Sequence, residues 1–188
     1  MTSLTERIIF LVGPMGSGKT TIGRLVAAEL GLQFHDCDQE LEQRTGASVN
    51  LIFDVEGEAG FRKRETQLLR RLSRKTGVLI ATGGGVVTRK ANRNILQSTG
   101  LVIWLNTTVE QQLRRLSHDK SRPLLQTTDR EARLNKLAVE RNALYRAVSD
   151  IEFKSPNQNS RLAALKLAAL IRDYWRSDGS SVVKHAGR

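Results

Sequence analysis

The sequence contains few of the residues that cross-link or stiffen a chain. Its 188 residues include one cysteine, Cys37, and three prolines. One cysteine cannot form a disulfide within the chain, and no set of cysteines and histidines has the spacing of zinc ligands. With 39% hydrophobic residues, the chain is not a disordered tail or a proline-rich linker. These absences favour a single folded domain in a reducing compartment, and we expect a cytoplasmic protein.

Long apolar runs and aromatic residues are also scarce. The longest apolar run near the start, Ile8 to Val12, is too short for a membrane span or a signal sequence, so we expect no membrane partner. The net charge is +11, but it is uneven: residues 1–60 carry −5 and residues 61–188 carry +16. Aromatics make up 5% of the chain and are not interleaved with the basic clusters, which argues against nucleic acid as a partner.

Alternating strand-like and helix-like segments indicate a layered fold. Residues 8–12 predict a strand buried on both faces, and the apolar face of the next helix ends at Gly31. That face consists of Ile22, Leu25, Val26 and Leu30. Further strands are predicted at 33–36, 78–81, 101–105 and 151–154, and helices at 58–75, 108–117, 130–148 and 160–175. We therefore expect an α/β fold of three layers, α/β/α, around a central parallel sheet.

Two segments fall outside this pattern. Residues 118–129 are polar and irregular, and inside a compact domain such a segment is either a mobile functional loop or a misassigned element; we expect a mobile lid. Residues 177–188 are polar without periodicity and predict a flexible tail. The single domain is therefore expected to span residues 1–176.

The strongest motif lies between the first strand and the first helix. Residues 13–20 read GPMGSGKT and match the phosphate-binding pattern G-x-x-x-x-G-K-[ST]. The glycines let backbone N–H groups of this loop and the helix N-terminus approach phosphates. Lys19 then reaches the β- and γ-phosphates, and the Thr20 hydroxyl can bind Mg²⁺. We expect a nucleotide site formed by Gly16, Ser17, Gly18, Lys19, Thr20 and Thr21; the alternative is a tight turn with a surface lysine.

Two carboxylates follow the second strand. Asp36-Cys37-Asp38 is expected to end that strand, with both carboxylates on one side, at the crevice where ligands bind in open α/β sheets. One could hold Mg²⁺ through water, and the other could accept a proton from an attacking hydroxyl. The alternative is an Asp that caps a helix beginning at Gln39.

Three glycines follow the third strand. Gly83, Gly84 and Gly85 would leave no side chains at the crevice, so that backbone N–H groups can approach a small ligand; a flexible turn is the alternative. Thr82 stands where many nucleoside triphosphatases have Asp, which shifts second-sphere Mg²⁺ binding toward Asp36.

Arginines at three further positions are candidate ligands for anions. Arg62 and Arg141 lie in helical patterns, and two converging guanidinium groups would bind a carboxylate, with Glu65 orienting Arg62. Arg122, in the expected lid, could supply a cation to a phosphoryl group in transfer. Each is also consistent with a solvated surface arginine, because the sequence does not show whether they converge.

Together these motifs resemble the shikimate kinase family, a group of P-loop proteins similar to the nucleoside monophosphate kinases. The resemblance covers about residues 7–176, and it includes Phe61-Arg62-x-x-Glu65, Arg122-Pro123-Leu124-Leu125, and Glu140-Arg141 followed by Tyr145. It implies transfer of a phosphoryl group from ATP to the 3-hydroxyl of shikimate, giving shikimate 3-phosphate and ADP on the route to chorismate and the aromatic amino acids.

The resemblance also implies a role for the residues of the acceptor site. Asp38 would hold the shikimate hydroxyls and act as base or orienting group. Arg62 and Arg141 would bind the shikimate carboxylate, and the backbone of residues 83–85 would close against the ring.

On the nucleotide side, the resemblance implies that Lys19 and Arg122 neutralise the transferring phosphoryl group. Thr20, with Asp36 acting through water, would hold Mg²⁺ as the cofactor. Arg115 is the expected adenine-stacking arginine, and Gln158 matches the adenine loop in position. The expected ligands are ATP and shikimate, and a monomer is expected.

Other classes share parts of this pattern. A gluconate kinase or an adenylylsulfate kinase would share the phosphate loop and the lid, although the two arginines and the triple glycine argue against both. A GTPase would match D-x-x-G at residues 54–57, but Ala138 stands where the guanine-selective N-K-x-D motif has Asp. A basic nucleic-acid-binding module is the alternative from a different class, and salt-dependent retention of DNA would favour it.

Overall fold

The structure is a computed structural model that describes residues 7–117, 129–154 and 159–177. The described strands are β1 (Ile8–Val12), β2 (Gln33–Asp36), β3 (Val78–Ala81), β4 (Leu101–Asn106) and β5 (Ile151–Lys154). The described α-helices are α1 (Lys19–Leu30), α2 (Cys37–Thr45), α3 (Val49–Leu72), α4 (Lys90–Thr99), α5 (Val109–Arg115), α6 (Arg130–Val148) and α7 (Ser160–Arg176). A short 3₁₀ turn, Val86–Thr88, follows the triple glycine. The expected lid and tail lie almost wholly outside the described residues.

The strands form one parallel sheet in the order β2-β3-β1-β4-β5. β1 is central, with Phe10 aligned to Ile80 of β3 on one side and to Val102 of β4 on the other. The chain leaves β1 toward one face of the sheet through α1, and leaves β3 toward the opposite face through α4. Because these connections diverge, a crevice opens between the carboxyl ends of β1 and β3.

Two apolar cores cover the faces of the sheet. Ile8, Phe10 and Val12 of β1 pack with residues of α3, α4 and α6, while Ile9 and Leu11 pack with residues of α1 and α7. Alternate residues of one buried strand thus face opposite cores, as expected for a parallel sheet covered on both sides. The predicted three-layer α/β/α fold is confirmed.

Several boundaries differ from the predictions. α3 begins at Val49 and not near residue 58, because the Ser48 hydroxyl caps it by accepting a hydrogen bond from Leu51 N at 3.2 Å. α5 is shorter than the predicted 108–117. Leu25 is 36% exposed and does not belong to the buried face of α1. α4 is not predicted from the sequence, because only two of its ten residues, Asn92 and Leu96, are buried, and these two do not form an apolar pattern.

The strand assignment of Asp38 is also wrong. β2 ends at Asp36, whose side chain accepts hydrogen bonds from the backbone N–H groups of Asp38 and Gln39 and so starts α2 at once. Cys37 and Asp38 therefore occupy the first turn of a helix, and the alternation of a strand does not orient them. Among the described helices, none is long and apolar enough to cross a membrane.

Candidate active site

The loop after β1 has the backbone of a phosphate cradle. Gly13, Gly16 and Gly18 have φ values of 144°, 74° and 93°, a range that favours glycine. Gly18 caps α1 without a side chain, so the first-turn N–H groups of α1 receive no side-chain cap and can turn toward an anion. Lys19 Nζ donates to the carbonyl oxygens of Gly13 and Pro14, both at 2.8 Å. These contacts hold the lysine over the loop.

Thr20 and Asp36 bring two oxygen groups together beside this cradle. Thr20 Oγ1 donates to Asp36 Oδ2 at 2.7 Å, while Asp36 Oδ1 caps α2. Asp36 therefore caps α2 with one carboxylate oxygen and contacts Thr20 with the other. The described residues contain no group of three or more His, Cys, Asp or Glu side chains that could hold a metal. The two oxygen groups of Thr20 and Asp36 fit Mg²⁺, because this ion binds through one or two protein oxygens together with substrate phosphates.

Two pockets meet at the carboxyl edge of the sheet. The first, here called the phosphate pocket, is lined by Met15, Gly16, Gly18, Lys19, Thr20, Thr21, Asp36, Asp38, Thr82, Gly84 and Leu116. The second, here called the acceptor pocket, is lined by Met15, Asp38, Val49, Phe53, Phe61, Arg62, Glu65, Gly83, Gly84, Gly85 and Arg141. Met15, Asp38 and Gly84 line both. Asp38 is the ionisable residue among these three, and it lies where the pockets join.

Arg62 is held in the acceptor pocket by two carboxylates. Its Nη1 donates to both oxygens of Glu65 at 3.0 and 3.1 Å, and its Nε and Nη2 donate to Glu58 Oε1 at 3.3 and 3.2 Å. Glu65 is 4% exposed. Burial raises the pKa of Glu65, while the charge of Arg62 opposes that rise. The predicted pairing of Glu65 with Arg62 is thus present in the structure.

Arg141 approaches the same pocket from α6. Its Nη1 donates to the carbonyl oxygen of Gly84 at 3.3 Å, and the hydroxyl of Tyr145 donates to that same oxygen. Burial raises the pKa of Tyr145 to about 12, so the phenol is a neutral donor at physiological pH. The Nε of Arg141 is buried without a hydrogen-bond partner among the described residues. No ion pair of Arg141 is found in the part of the chain that the structure describes, so an anion in the acceptor pocket would compensate the charge of this buried cation.

The triple glycine accommodates neighbouring side chains. A Cβ at Gly85 would lie 2.1 Å from Arg62 Nη2, and one at Gly83 would lie 2.7 Å from Glu65 Oε1. At Gly84 the nearest atom would be Met15 N, at 3.3 Å. All three glycines line the acceptor pocket with their backbone, and Arg62 and Glu65 occupy the space that a Cβ at Gly85 or Gly83 would need.

The remaining predicted residues divide into two groups. Arg115, at the end of α5, donates from Nη1 to the carbonyl oxygen of Gly16 at 2.9 Å and so lies beside the phosphate loop. Arg122 and Gln158 lie outside the described residues. Val49 and Phe53, which form an apolar wall with Phe61, are not predicted from the sequence, because apolar residues at helical spacing indicate a core as readily as a site.

A family model for shikimate kinase matches residues 15–172. The chain belongs to the shikimate kinase family. A shikimate kinase of Shewanella sp. (strain W3-18-1) is 52% identical over 159 residues, which covers 85% of this chain and 93% of the relative. A shikimate kinase of Buchnera aphidicola subsp. Schizaphis graminum is 48% identical over 167 residues, covering 88% and 96%.

A solved structure of a shikimate kinase agrees with the family assignment. The Acinetobacter baumannii shikimate kinase, in complex with shikimate, superposes with a TM-score of 0.86 at 45% identity. The match covers 94% of this chain and 97% of that one. The predicted family, the predicted fold and the prediction of a kinase are confirmed.

Proposed function

We propose that this chain transfers the γ-phosphoryl group of ATP to the 3-hydroxyl of shikimate through the two pockets described above. As a member of the shikimate kinase family, it phosphorylates shikimate in aromatic biosynthesis. The observation that carries the assignment of residues is the position of Asp38, which lines both the phosphate pocket and the acceptor pocket. A hydroxyl bound at Asp38 faces the phosphate pocket.

The acceptor carboxylate is assigned to Arg62 and Arg141. Both guanidinium groups line the acceptor pocket and both are buried, with exposures of 7% and 6%. Buried cations require compensation, and Glu65 and Glu58 compensate Arg62. Arg141 has no ion-pair partner among the described residues, and it gains that compensation from a bound carboxylate. The backbone of residues 83–85 forms the floor against which the acceptor ring packs.

Asp38 is assigned the reacting hydroxyl. Its carboxylate orients the 3-hydroxyl and receives the hydroxyl proton as the oxygen forms its bond to the γ-phosphorus. The bond between that phosphorus and the β–γ bridging oxygen breaks, and ADP leaves with the bonding pair. Because this transition state is largely dissociative, alignment matters more than the strength of the base.

The phosphate pocket stabilises the charge that moves during transfer. Lys19 is assigned the β- and γ-phosphates, and the loop N–H groups of residues 16–21 bind the remaining oxygens. Thr20 and, through water, Asp36 would hold Mg²⁺, which when bound would neutralise charge on the β- and γ-phosphates. We assign Arg115 and Gln158 to the adenine of ATP. We assign Arg122 to the transferring phosphoryl group.

A coupled assay of ADP release tests this function. With ATP and Mg²⁺ present, we expect release to depend on shikimate and to stay at background with gluconate, adenylylsulfate or no acceptor. Release that does not depend on shikimate would contradict the proposal. The cytoplasmic location and the monomeric state stay predictions.

The variant Asp38→Asn tests the residue at the junction of the pockets. We expect it to lose most of its turnover, about 100-fold or more, with ATP affinity nearly unchanged. Loss of nucleotide affinity with turnover preserved would mean that Asp38 acts in the phosphate pocket instead.

A further inference from the structure

A bend divides α3 into two halves that form different walls of the acceptor pocket. At Gly57 the backbone has φ 68° and ψ 180°, which interrupts the helix. Val49 and Phe53 lie before the bend, and Phe61, Arg62 and Glu65 lie after it. The angle at Gly57 therefore sets how the apolar wall faces the arginine that we assign to the acceptor carboxylate.

An ion pair spans this bend. Arg64 Nη2 lies 2.6 Å from Glu56 Oε1, and Arg64 Nε lies 3.0 and 2.8 Å from the two carboxylate oxygens. The hydrogen bonds from Arg64 lower the pKa of Glu56, which favours the charged carboxylate in this pair. A second contact joins the two halves, because the rings of Phe53 and Phe61 lie 4.5 Å apart between centroids.

Gly60, in the second half of α3, approaches Glu56 of the first half closely. A Cβ at Gly60 would lie 2.5 Å from Glu56 Cβ and 3.0 Å from Glu56 Oε2. Alanine would otherwise be the better helix former at a position inside α3. The glycine thus permits the close approach of the two sides of the bend, at which Glu56 pairs with Arg64.

We propose that Glu56 and Arg64 are positioning residues for the acceptor. They hold the two halves of α3 at the angle at which Phe53 and Arg62 can contact one acceptor molecule. Neither Glu56 nor Arg64 lines either pocket, so they act through α3 and not by contact with the ligand. The inference rests on the proposed function, since it takes the pocket ligand to be the acceptor. Because the pair is partly exposed, we expect an effect of about two- to fivefold on acceptor affinity, weakened by salt.

The test compares Glu56→Gln, Arg64→Met and the double variant with a matched control. The control is Glu29→Gln, which breaks an ion pair with Arg172 of 3.0 Å between α1 and α7. The side chains of that pair are 38% and 37% exposed, against 33% and 41% for Glu56 and Arg64. The measurements are the KM of shikimate and of ATP, kcat, and the dissociation constant of shikimate without ATP.

We expect each single variant to raise the KM and the dissociation constant of shikimate about two- to fivefold, and the double variant to do no more than either. The kcat, the KM of ATP and all values of the control should stay at wild type. Gly60→Ala, which changes the bend itself, should raise the KM of shikimate as well.

Wild-type KM of shikimate in both single variants would overturn the positioning role, as would an equal change in Glu29→Gln. An equal change in the KM of ATP or in kcat would also overturn it, because the effect would then be general. Failure of the proposed function is distinct, since the wild-type chain itself would then release no ADP in response to shikimate.

Discussion

Substitution of Gly85 by alanine is a sharp test of the acceptor pocket. The added Cβ would lie 2.1 Å from Arg62 Nη2 and 2.3 Å from Arg62 Cζ, so the guanidinium group must move. That group is fixed by hydrogen bonds to Glu65 and Glu58 and cannot shift without breaking some of them. Displacement removes charge-assisted hydrogen bonds to the acceptor, worth about 1.5–3 kcal/mol each. Four of the five N–H groups of Arg62 bind Glu58 and Glu65, so loss of one bond to the acceptor corresponds to about 10- to 150-fold weaker acceptor binding.

Steady-state kinetics and binding without ATP measure this effect. We expect Gly85→Ala to raise the KM and the dissociation constant of shikimate about 10- to 150-fold, with the affinity for ATP retained as evidence of folding. Gly46→Ala is the control, because Gly46 has φ 67° but nothing within 4 Å of a Cβ. It should lose stability through backbone strain and keep the KM of shikimate. A KM for Gly85→Ala within threefold of wild type would refute the packing argument.

Three further variants separate the roles of the remaining site residues. Arg62→Lys should weaken shikimate binding far more than ATP binding in steady-state kinetics, because an ammonium group cannot replace a bidentate guanidinium; an unchanged KM of shikimate would exclude Arg62 as a carboxylate ligand. Asp36→Asn should leave thermal stability almost unchanged, because Asn caps helices as well as Asp. The Mg²⁺ concentration that gives half-maximal activity should rise about tenfold or more. An unchanged Mg²⁺ requirement would exclude a metal-binding role for Asp36. The pKa of Tyr145 is raised to about 12, so the folded chain keeps a proton that the unfolded chain loses near pH 10. The free energy of unfolding therefore contains a contribution of about 3 kcal/mol that is complete below pH 10 and is lost as the pH rises toward 12. Urea unfolding of Tyr145→Phe should not show this loss. Equal losses in the wild type and the variant would contradict the role of Tyr145.

The sequence predicts the features of this fold that depend on short segments. Strand β1 is predicted from the apolar run of residues 8–12, and the phosphate loop is predicted from the glycines of residues 13–18. Both predictions succeed because strand burial and loop conformation depend on neighbouring residues. The start of α2 is harder, since it depends on whether the side chain of Asp36 caps the helix. That choice is made by hydrogen bonds to Asp38 and Gln39, which no periodicity reveals.

The sequence does not predict how the site converges. Arg62 and Arg141 come from α3 and α6, and they reach one pocket because both helices pack on the same face of the sheet. The bend at Gly57 is equally hidden, because the helical pattern on either side of it gives no angle. The reason for the glycine at position 85 becomes visible only when Arg62 is seen against it.

The identity of the product tests the proposed transfer to the 3-hydroxyl of shikimate most directly. Incubation of the chain with ATP, Mg²⁺ and shikimate, followed by ³¹P–¹H correlation spectroscopy of the product, locates the transferred phosphorus. We expect one product equivalent per ADP released, with the phosphorus coupled to the proton on carbon 3 of shikimate. Inorganic phosphate with unchanged shikimate, or a phosphorus coupled to a proton on another ring carbon, would contradict it.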